Sequence, residues 1–203
     1  SIGLGGNVLK NRDSAWVLSS WQVVVEEYPV LGTEIRIRTA PYAFKGFMGM
    51  RNFVMETTDG KKLAWANTNW TYLTISTGIP TRLTPADTDS YVLSEKLEMD
   101  YAPRKIKLPE DMISQEAFVV QKHHLDTNHH VNNCQYICMA EDFLPTDFEI
   151  YQMRAEYKMQ AKLGDAICPK VKTEAEKIVV SLDDREGNPY AIVEFQHKKQ
   201  ELL

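Results

Sequence analysis

The chain has 203 residues, a length that suits one large domain or two small ones. Hydrophobic residues make up 43% and charged residues 25%, as in an ordinary globular protein. No apolar run of about 18 residues and no signal-peptide pattern is present, so we expect neither a membrane span nor a secretory leader. The net charge of −5 argues against a protein that coats nucleic acid, and three cysteines are too few for a secreted disulfide framework, which favours the cytoplasm.

Residues 15–76 carry the pattern of a meander of antiparallel strands. After a glycine-rich start, apolar residues alternate with polar ones around Trp21. Isoleucines alternate with arginines over residues 34–39, which predicts a half-buried strand with a charged outer face. Asp59-Gly60 is a strong hairpin signal, and the alternation resumes after it.

A change in composition divides the chain into two domains. Residues 101–115 contain prolines and a short basic run, so we predict a linker there. The first domain is then residues 1–100 and the second is residues 116–203.

The second domain is predicted to contain one helix among strands. Residues 117–124 are a strand candidate, and residues 131–143 have helical spacing. Cys134 and Cys138 fit the apolar stripe of that helix as small core residues. Strand-like segments follow at residues 149–160, 167–175, 176–182 and 190–197, with a turn at residues 185–188.

Two short matches suggest that the second domain repeats the first. Leu31-Gly32 recurs as Leu163-Gly164, and the turn glycine Gly60 has a counterpart in Gly187. Strands with similar alternation surround both pairs. An internal duplication would make each copy an antiparallel sheet with a helix packed on it, an α+β arrangement.

Four of the five histidines lie between residues 123 and 130, within a concentration of polar side chains. One interpretation is capping and turn formation, because Asp, Thr and Asn oxygens accept hydrogen bonds from free amides at a helix start. A metal site is a second interpretation, but adjacent histidines in a strand point to opposite faces and so His123 and His124 do not readily share an ion. We therefore expect no metal.

The third interpretation is catalytic. Asp126, Asn128 and His130 alternate, so in an extended segment all three line one face. An imidazole is a good general base at neutral pH, and the amides at the following helix start can stabilise an oxyanion. Because no serine or cysteine nucleophile motif is present, this pattern favours activation of a water beside an acyl carbonyl.

Residues 125–133, Leu-Asp-Thr-Asn-His-His-Val-Asn-Asn, resemble the Asp-x-Asn-x-His-Val-Asn-Asn signature of the acyl-acyl-carrier-protein thioesterases of bacteria and plants. Further positions resemble the family in the same order along nearly the whole chain: Trp16-Val17-Leu18-Ser19, Tyr28-Pro29, Gly32, Arg51-Asn52-Phe53, Trp70, Pro80-Thr81-Arg82, Glu156-Tyr157-Lys158 and Gly164-Asp165. The resemblance implies a tandem hotdog fold, in which each half is an antiparallel sheet wrapped on a central helix. The family's first strand and most of its first helix have no counterpart, so the first half is expected to be N-terminally incomplete.

The resemblance implies hydrolysis of fatty acyl-acyl carrier protein, with Asp126, Asn128 and His130 as catalytic residues and no cofactor. The family also places an acidic residue, in some members followed by cysteine, where this chain has Gln160 and Ala161. Gln160 can orient a water but cannot take its proton, and Ala161 excludes a thiol mechanism. Either His130 or Asp126 must then act as the base, or the enzyme is slow, and we favour His130 as the base.

The family's acyl tunnel lies in its first domain, which makes its apolar residues substrate-binding candidates: Met48, Met50, Phe53, Trp65 and Trp70. Because acyl carrier protein is acidic, its docking should use basic groups: Arg36, Arg38, Arg104, Lys105 and Lys107, with Lys45 and Arg51 as further candidates. The expected partner is thus a carrier protein bearing a fatty acyl-phosphopantetheine. The sequence is also compatible with a homodimer. The alternatives are a hotdog acyl-CoA thioesterase, a hotdog dehydratase or hydratase, and a non-catalytic acyl-thioester sensor.

Overall fold

The computed structural model describes residue 9 and residues 11–198, and the glycine-rich start of the chain lies outside them apart from Leu9. The chain divides into two compact units, Ser1–Ala102 and Pro103–Leu203. The dividing point falls within the segment 101–115, and each unit is built on an antiparallel sheet.

The described part of the first unit has four long strands and one short helix. Its sheet has the order β2-β3-β4-β1, and neighbouring strands are antiparallel. The predicted hairpin at Asp59-Gly60 is confirmed: it joins β3 to β4, and Gly60 has a φ of 92°, which glycine adopts without strain. The elements are β1 (Ser14–Val25), β2 (Ile35–Lys45), β3 (Met48–Thr57), β4 (Lys62–Thr74) and α1 (Pro85–Thr88).

The strand β2 is less buried than its pattern predicts. Ile35 and Ile37 are 42% and 61% exposed, so the expectation of a half-buried strand over residues 34–39 was wrong. β2 is the edge strand of its sheet. Alternation identifies a strand but does not show whether a second layer covers its apolar face.

Buried polar side chains hold residues 97–102 against the sheet of the first unit. Asn52 Oδ1 accepts hydrogen bonds from Leu97 N at 3.2 Å and from the Tyr101 hydroxyl at 3.1 Å. Gln22 Nε2 donates to Asp100 O at 2.7 Å. Both side chains are buried, so the contacts fix this segment on the sheet.

The second unit has the element order strand, strand, helix and four further strands. Its sheet has the order β7-β10-β9-β8-β5, and β6 also pairs with β8. The elements are β5 (Ile113–Ser114), β6 (Phe118–Val119), a 3-10 turn (Lys122–His124), α2 (Asn133–Glu141), β7 (Ile150–Tyr157), β8 (Ala166–Thr173), β9 (Lys177–Asp183) and β10 (Pro189–His197). The four predicted strands are confirmed, but the strand expected over residues 117–124 is only β6, because the chain turns at Lys122–His124.

Helix α2 does not bury the two cysteines that were expected in its core stripe. Its buried residues are Tyr136, Met139 and Ala140, whereas Cys134 and Cys138 are exposed. The interpretation of the two cysteines as core residues was therefore wrong. The helix packs on β9 and β10 through the face that carries Tyr136, Met139 and Ala140.

The two units share one topology. The order β2-β3-β4-β1 of the first sheet recurs as β8-β9-β10-β7 in the second. The glycines noted in the sequence occupy equivalent left-handed turns: Gly32 and Gly164 have φ values of 91° and 87°, and Gly60 and Gly187 have values of 92° and 85°. This agreement supports an internal duplication.

An ion pair with a buried carboxylate also recurs in equivalent strands. In the first unit, Arg38 Nη2 of β2 lies 2.5 Å from Glu56 Oε2 of β3. In the second, Lys170 Nζ of β8 lies 2.8 Å from Asp183 Oδ2 of β9. Both acidic side chains are almost fully buried, at 4% and 3% exposed, while their basic partners reach solvent.

The segment predicted as a linker is attached to the second sheet over much of its length. Arg154 Nη2 donates to Pro103 O at 2.6 Å and to Lys105 O at 3.2 Å. Glu156 Oε2 accepts from Ile106 N at 2.9 Å, and Ile106 itself is buried against the sheet. Residues 103–106 are thus held in place by the side chains of β7.

Candidate active site

The candidate catalytic residues lie in a tight turn between the 3-10 turn and α2. Leu125 and Val131 form an antiparallel bridge, and Asp126 N donates to His130 O at 2.8 Å. His129, at φ 60°, reverses the chain. The expectation that Asp126, Asn128 and His130 alternate along an extended segment was therefore wrong. The turn itself brings the three residues together.

The carboxylate of Asp126 holds this turn. Oδ1 accepts from the backbone N of Asn128 at 2.8 Å and of His130 at 3.3 Å, and Oδ2 lies 3.5 Å from Asn128 Nδ2. Partial burial acts to raise the pKa of Asp126, but these donors outweigh it and the pKa lies below its usual value. Asp126 is therefore an anion at neutral pH, placed beside His130.

The capping interpretation is confirmed at two positions. Asp126 accepts from the amides of the turn, and Asn132 is the N-cap of α2, with its Oδ1 accepting from Cys134 N at 2.9 Å. A turn-forming role does not remove Asp126 from the candidate site, because the same carboxylate stays close to His130.

A second segment runs alongside the turn. His130 and Lys162 form an antiparallel bridge, and Val131 N donates to Ala161 O at 2.9 Å. Gln160 is exposed and immediately precedes the buried Ala161. The structure thus places the chain at Gln160 next to the chain at His130.

The two other neighbouring histidines pack on each other. The ring centroids of His123 and His124 are 4.1 Å apart, and His124 Nδ1 accepts from Gln121 N at 2.9 Å. Burial and the neighbouring His123 lower the pKa of His124, so its ring is neutral at neutral pH. Across residues 11–198, the structure contains no group of three or more His, Cys, Asp and Glu side chains arranged to hold a metal ion.

A cavity of about 330 Å³ lies in the first unit. Three of the five predicted substrate-binding residues, Met50, Phe53 and Trp70, line it. Met48 and Trp65 are not among the lining residues: Met48 Sδ accepts from the Thr71 hydroxyl at 3.5 Å. Trp65 pairs with Val54, on the opposite face of the sheet from Phe53.

Six further lining residues were not predicted: Trp16, Pro41, Phe44, Gly49, Arg51 and Tyr91. They come from β1, β2, β3 and the segment after α1, so only the strand register brings them together. A Cβ on Gly49 would lie 2.9 Å from the Trp16 ring, which shows that the absent side chain makes room for this indole.

The predicted docking residues fall into two groups. Arg36 Nη1 and Arg38 Nη2 both lie close to the buried Glu56, at 3.5 and 2.5 Å, so the two guanidinium groups share one carboxylate within the first unit. Arg104, Lys105 and Lys107 are exposed on the segment that β7 holds.

Comparison with known protein families gives two matches that together span nearly the whole chain. The acyl-ACP thioesterase N-terminal domain matches residues 1–91, and the acyl-ACP thioesterase C-terminal domain matches residues 93–199. The chain belongs to the acyl-ACP thioesterase family.

Curated relatives include the acyl-[acyl-carrier-protein] hydrolases FATB1 and FATB2 of Cuphea viscosissima, which are 24% and 26% identical over 77% and 73% of this chain. The chain spans about two fifths of the length of these relatives, 40% and 39%.

Solved structures of other acyl-ACP thioesterases share the fold. An acyl-ACP thioesterase from Bacteroides thetaiotaomicron superposes with a TM-score of 0.86 at 19% identity, covering 97% of this chain and 82% of that one. The 12:0-ACP thioesterase from Umbellularia californica gives 0.84 at 17% identity, covering 98% and 84%. A MaoC-like dehydratase from Phytophthora capsici gives 0.62 at 11% identity, covering 91% and 72%. The tandem hotdog fold expected for the family agrees with these matches.

Within the described residues, no helix has both the length and the apolar character needed to cross a bilayer.

Proposed function

We propose that this acyl-ACP thioesterase family member hydrolyses the thioester between a fatty acyl chain and the phosphopantetheine arm of acyl carrier protein. The observation that carries the proposal is the turn at residues 126–130, in which the Asp126 carboxylate contacts the side-chain amide of Asn128 and accepts from the backbone N of His130. Family membership supports the reaction class.

In the proposed mechanism, His130 removes a proton from a water molecule as its oxygen attacks the acyl carbonyl carbon. The C=O bond opens to an oxyanion, which the partial positive charge at the start of α2 can stabilise. The tetrahedral intermediate then collapses, the carbon–sulfur bond breaks, and the pantetheine thiolate leaves and takes the proton from His130. The products are a free fatty acid and the carrier protein thiol.

The neighbouring side chains have supporting roles in this proposal. The Asp126 carboxylate, which is anionic at neutral pH, fixes the turn that carries His130. Asn128 is exposed and its amide can bind the thioester carbonyl or the water. Gln160 orients the water but leaves the proton transfer to His130.

We propose that the cavity in the first unit receives the acyl chain. Aromatic side chains form much of its wall, including Trp16, Phe44, Phe53 and Trp70. A concave, mostly apolar site suits an alkyl chain, because burial of each methylene contributes roughly 0.8 kcal/mol.

We propose further that Arg104, Lys105 and Lys107 dock the acidic carrier protein. Their side chains are exposed, and the contacts of Arg154 and Glu156 fix the backbone beneath them. Arg36 and Arg38 are weaker candidates, because Glu56 compensates one of their two positive charges.

The docking proposal is tested by replacing Arg104, Lys105 and Lys107 together with Glu. At low salt we expect KM for acyl carrier protein to rise about tenfold or more, with a smaller rise at high salt and an unchanged rate on a neutral acyl-pantetheine. The matched control reverses three exposed basic residues elsewhere: Lys62, Arg185 and Lys198. Equal effects of the two triple variants would contradict docking at residues 104–107.

The activity itself is tested on acyl carrier protein substrates from short to long chain, alongside acyl-CoA and an enoyl thioester. We expect release of free fatty acid and the highest kcat/KM on the carrier-bound substrates. Preference for acyl-CoA would identify a CoA thioesterase, and hydration of the enoyl thioester a hydratase. Tight binding without turnover, which the amide at Gln160 makes a meaningful outcome, would identify a sensor.

We place the reaction in cytoplasmic fatty acid biosynthesis, in keeping with the free thiols of Cys134, Cys138 and Cys168.

A further inference from the structure

A tyrosine in the middle of α2 has a polar contact that helix packing does not require. Tyr136 is 2% exposed, and its hydroxyl oxygen accepts a hydrogen bond from Ala161 N at 2.8 Å. Burial raises the pKa of Tyr136 to about 12, so this hydroxyl remains neutral across the range in which enzymes are assayed. It is therefore not a general acid or base at neutral pH.

The Ala161 peptide links this hydroxyl to the candidate site. Ala161 N binds Tyr136, and Ala161 O accepts from Val131 N at 2.9 Å. On one side of Ala161 lies Gln160, and on the other Lys162 forms a bridge with His130. The two hydrogen bonds of the Ala161 peptide therefore connect α2 to the turn. They hold the segment that contains Gln160 next to His130.

We propose that Tyr136 is a positioning residue. Through the Ala161 peptide it holds Gln160 and His130 in the relative positions that thioester hydrolysis needs. The inference rests on the proposed thioester hydrolysis at this turn. Its physical basis is that Ala161 is fully buried, so the amide has no access to water if the hydroxyl is removed.

The variant Tyr136→Phe removes only the acceptor. The aromatic ring keeps its place in the core, while Ala161 N–H loses its partner and the segment must shift to find another. A displacement of about 1 Å in a catalytic constellation can lower turnover about a hundredfold. We therefore expect kcat to fall about ten- to a hundredfold and KM to change less than twofold.

A second tyrosine supplies a matched control. The Tyr157 ring centroid lies 6.2 Å from that of Tyr136, and the Tyr157 hydroxyl donates to Asn133 O at 3.1 Å. Tyr157→Phe thus removes another hydrogen bond that anchors α2, but this bond runs to the helix instead of to the Ala161 peptide. We expect its kcat to stay within twofold of the unchanged protein.

The experiment compares the full chain and both Phe variants, with kcat and KM normalised to the folded fraction measured by near-ultraviolet circular dichroism. Amide hydrogen exchange is read at Ala161 and Val131, and we expect it to accelerate in Tyr136→Phe and not in Tyr157→Phe. Unchanged kcat in Tyr136→Phe, or an equal loss in both variants, would overturn the proposal.

The exchange measurement also separates two kinds of failure. If the unchanged protein hydrolyses no acyl thioester, the proposed function fails. Protection of Ala161 that depends on Tyr136 would still show the contact in solution. If hydrolysis is normal and Ala161 exchange is the same in all three proteins, the positioning role alone fails.

Discussion

Two hydrogen bonds join Asp126 to the backbone of His130. Asp126 N donates to His130 O at 2.8 Å, and Asp126 Oδ1 accepts from His130 N at 3.3 Å. The carboxylate therefore fixes the position of the His130 backbone. It also places a negative charge near this residue. The Asp126 side chain thus provides both the hydrogen bonds that hold the turn and a negative charge. Substitutions that remove the charge but keep an acceptor oxygen distinguish the two contributions.

Replacing Asp126 with Asn separates the two contributions. Asn retains an oxygen that can accept from the amides of Asn128 and His130, so we expect the turn to survive. The negative charge beside His130 is lost, and we expect kcat to fall about tenfold or more. Asp126→Ala removes the acceptor as well and should cost about 1–2 kcal/mol of unfolding free energy, measured by urea denaturation.

The pH dependence of stability gives an independent check on Asp126. Its pKa is lowered in the folded protein, so its stabilising effect is complete above the unfolded-state pKa of about 3.9 and is lost as pH falls through the lower folded-state value. We expect the unfolding free energies of wild type and Asp126→Asn to differ most above about pH 5 and to converge in acid. A difference that grows toward low pH would contradict this assignment.

The family resemblance predicts that Gln160 occupies a position where other members have an acid. We expect Gln160→Ala to lower kcat about tenfold by removing the group that orients the water. We expect Gln160→Glu to raise kcat several-fold above wild type, by about threefold or more, because a carboxylate can share the proton transfer. Steady-state kinetics on one acyl carrier protein substrate measures both. Wild-type kcat in both variants would remove Gln160 from the site.

Gly49 controls the space available to Trp16. A Cβ at this position would lie 2.9 Å from the far edge of the Trp16 ring, so in Gly49→Ala the indole must move. Because Trp16 lines the cavity, we expect this movement to narrow it and to lower kcat/KM for long acyl chains relative to short ones.

The control for this substitution is Gly46→Ala. Gly46 has a φ of 64°, and a Cβ added there would meet no atom within 4 Å, so alanine strains the backbone without entering the cavity. We expect loss of stability with an unchanged chain-length profile. The same shift of preference in both variants would indicate a general effect of destabilisation.

The recurring ion pairs predict parallel effects in the two units. Arg38→Met and Lys170→Met each remove a basic partner from a buried carboxylate, of Glu56 and of Asp183. We expect each to lower the unfolding free energy by about 1–3 kcal/mol, with the smaller loss at Arg38 because Arg36 remains 3.5 Å from Glu56. Urea denaturation measures both. An Arg38→Met variant with normal stability and a raised KM for the carrier protein would instead favour docking at Arg38.

The strands and hairpins were predictable because their signals are local. Alternation over β1 and the left-handed glycines Gly60 and Gly187 each depend on residues close in sequence. The side-chain cavity was only partly predictable, since Phe53 and Trp65 are both apolar residues on long strands. Which of them faces the cavity is decided by strand register, which the composition of a single strand does not contain.

The members of the candidate site were proposed from the sequence, and the geometry expected for them was wrong. Asp126, Asn128 and His130 were identified from residue types and a family signature, but their alternation suggested an extended segment. The hydrogen bonds of Asp126 and the left-handed His129 produce a turn instead, because Asp competes for nearby amides and His129 can occupy a positive φ at modest cost. The contact of Tyr136 with Ala161 joins residues 25 positions apart and carries no local signal.

The most direct test of thioester hydrolysis at the 126–130 turn is kcat of His130→Ala on acyl carrier protein substrates. General base catalysis contributes typically about 10²–10⁴-fold, so we expect kcat to fall by at least about a hundredfold while KM changes little. Folded-state circular dichroism and binding of a non-hydrolysable acyl thioester analogue should match wild type. Wild-type turnover by His130→Ala would contradict the assignment of His130 as the base.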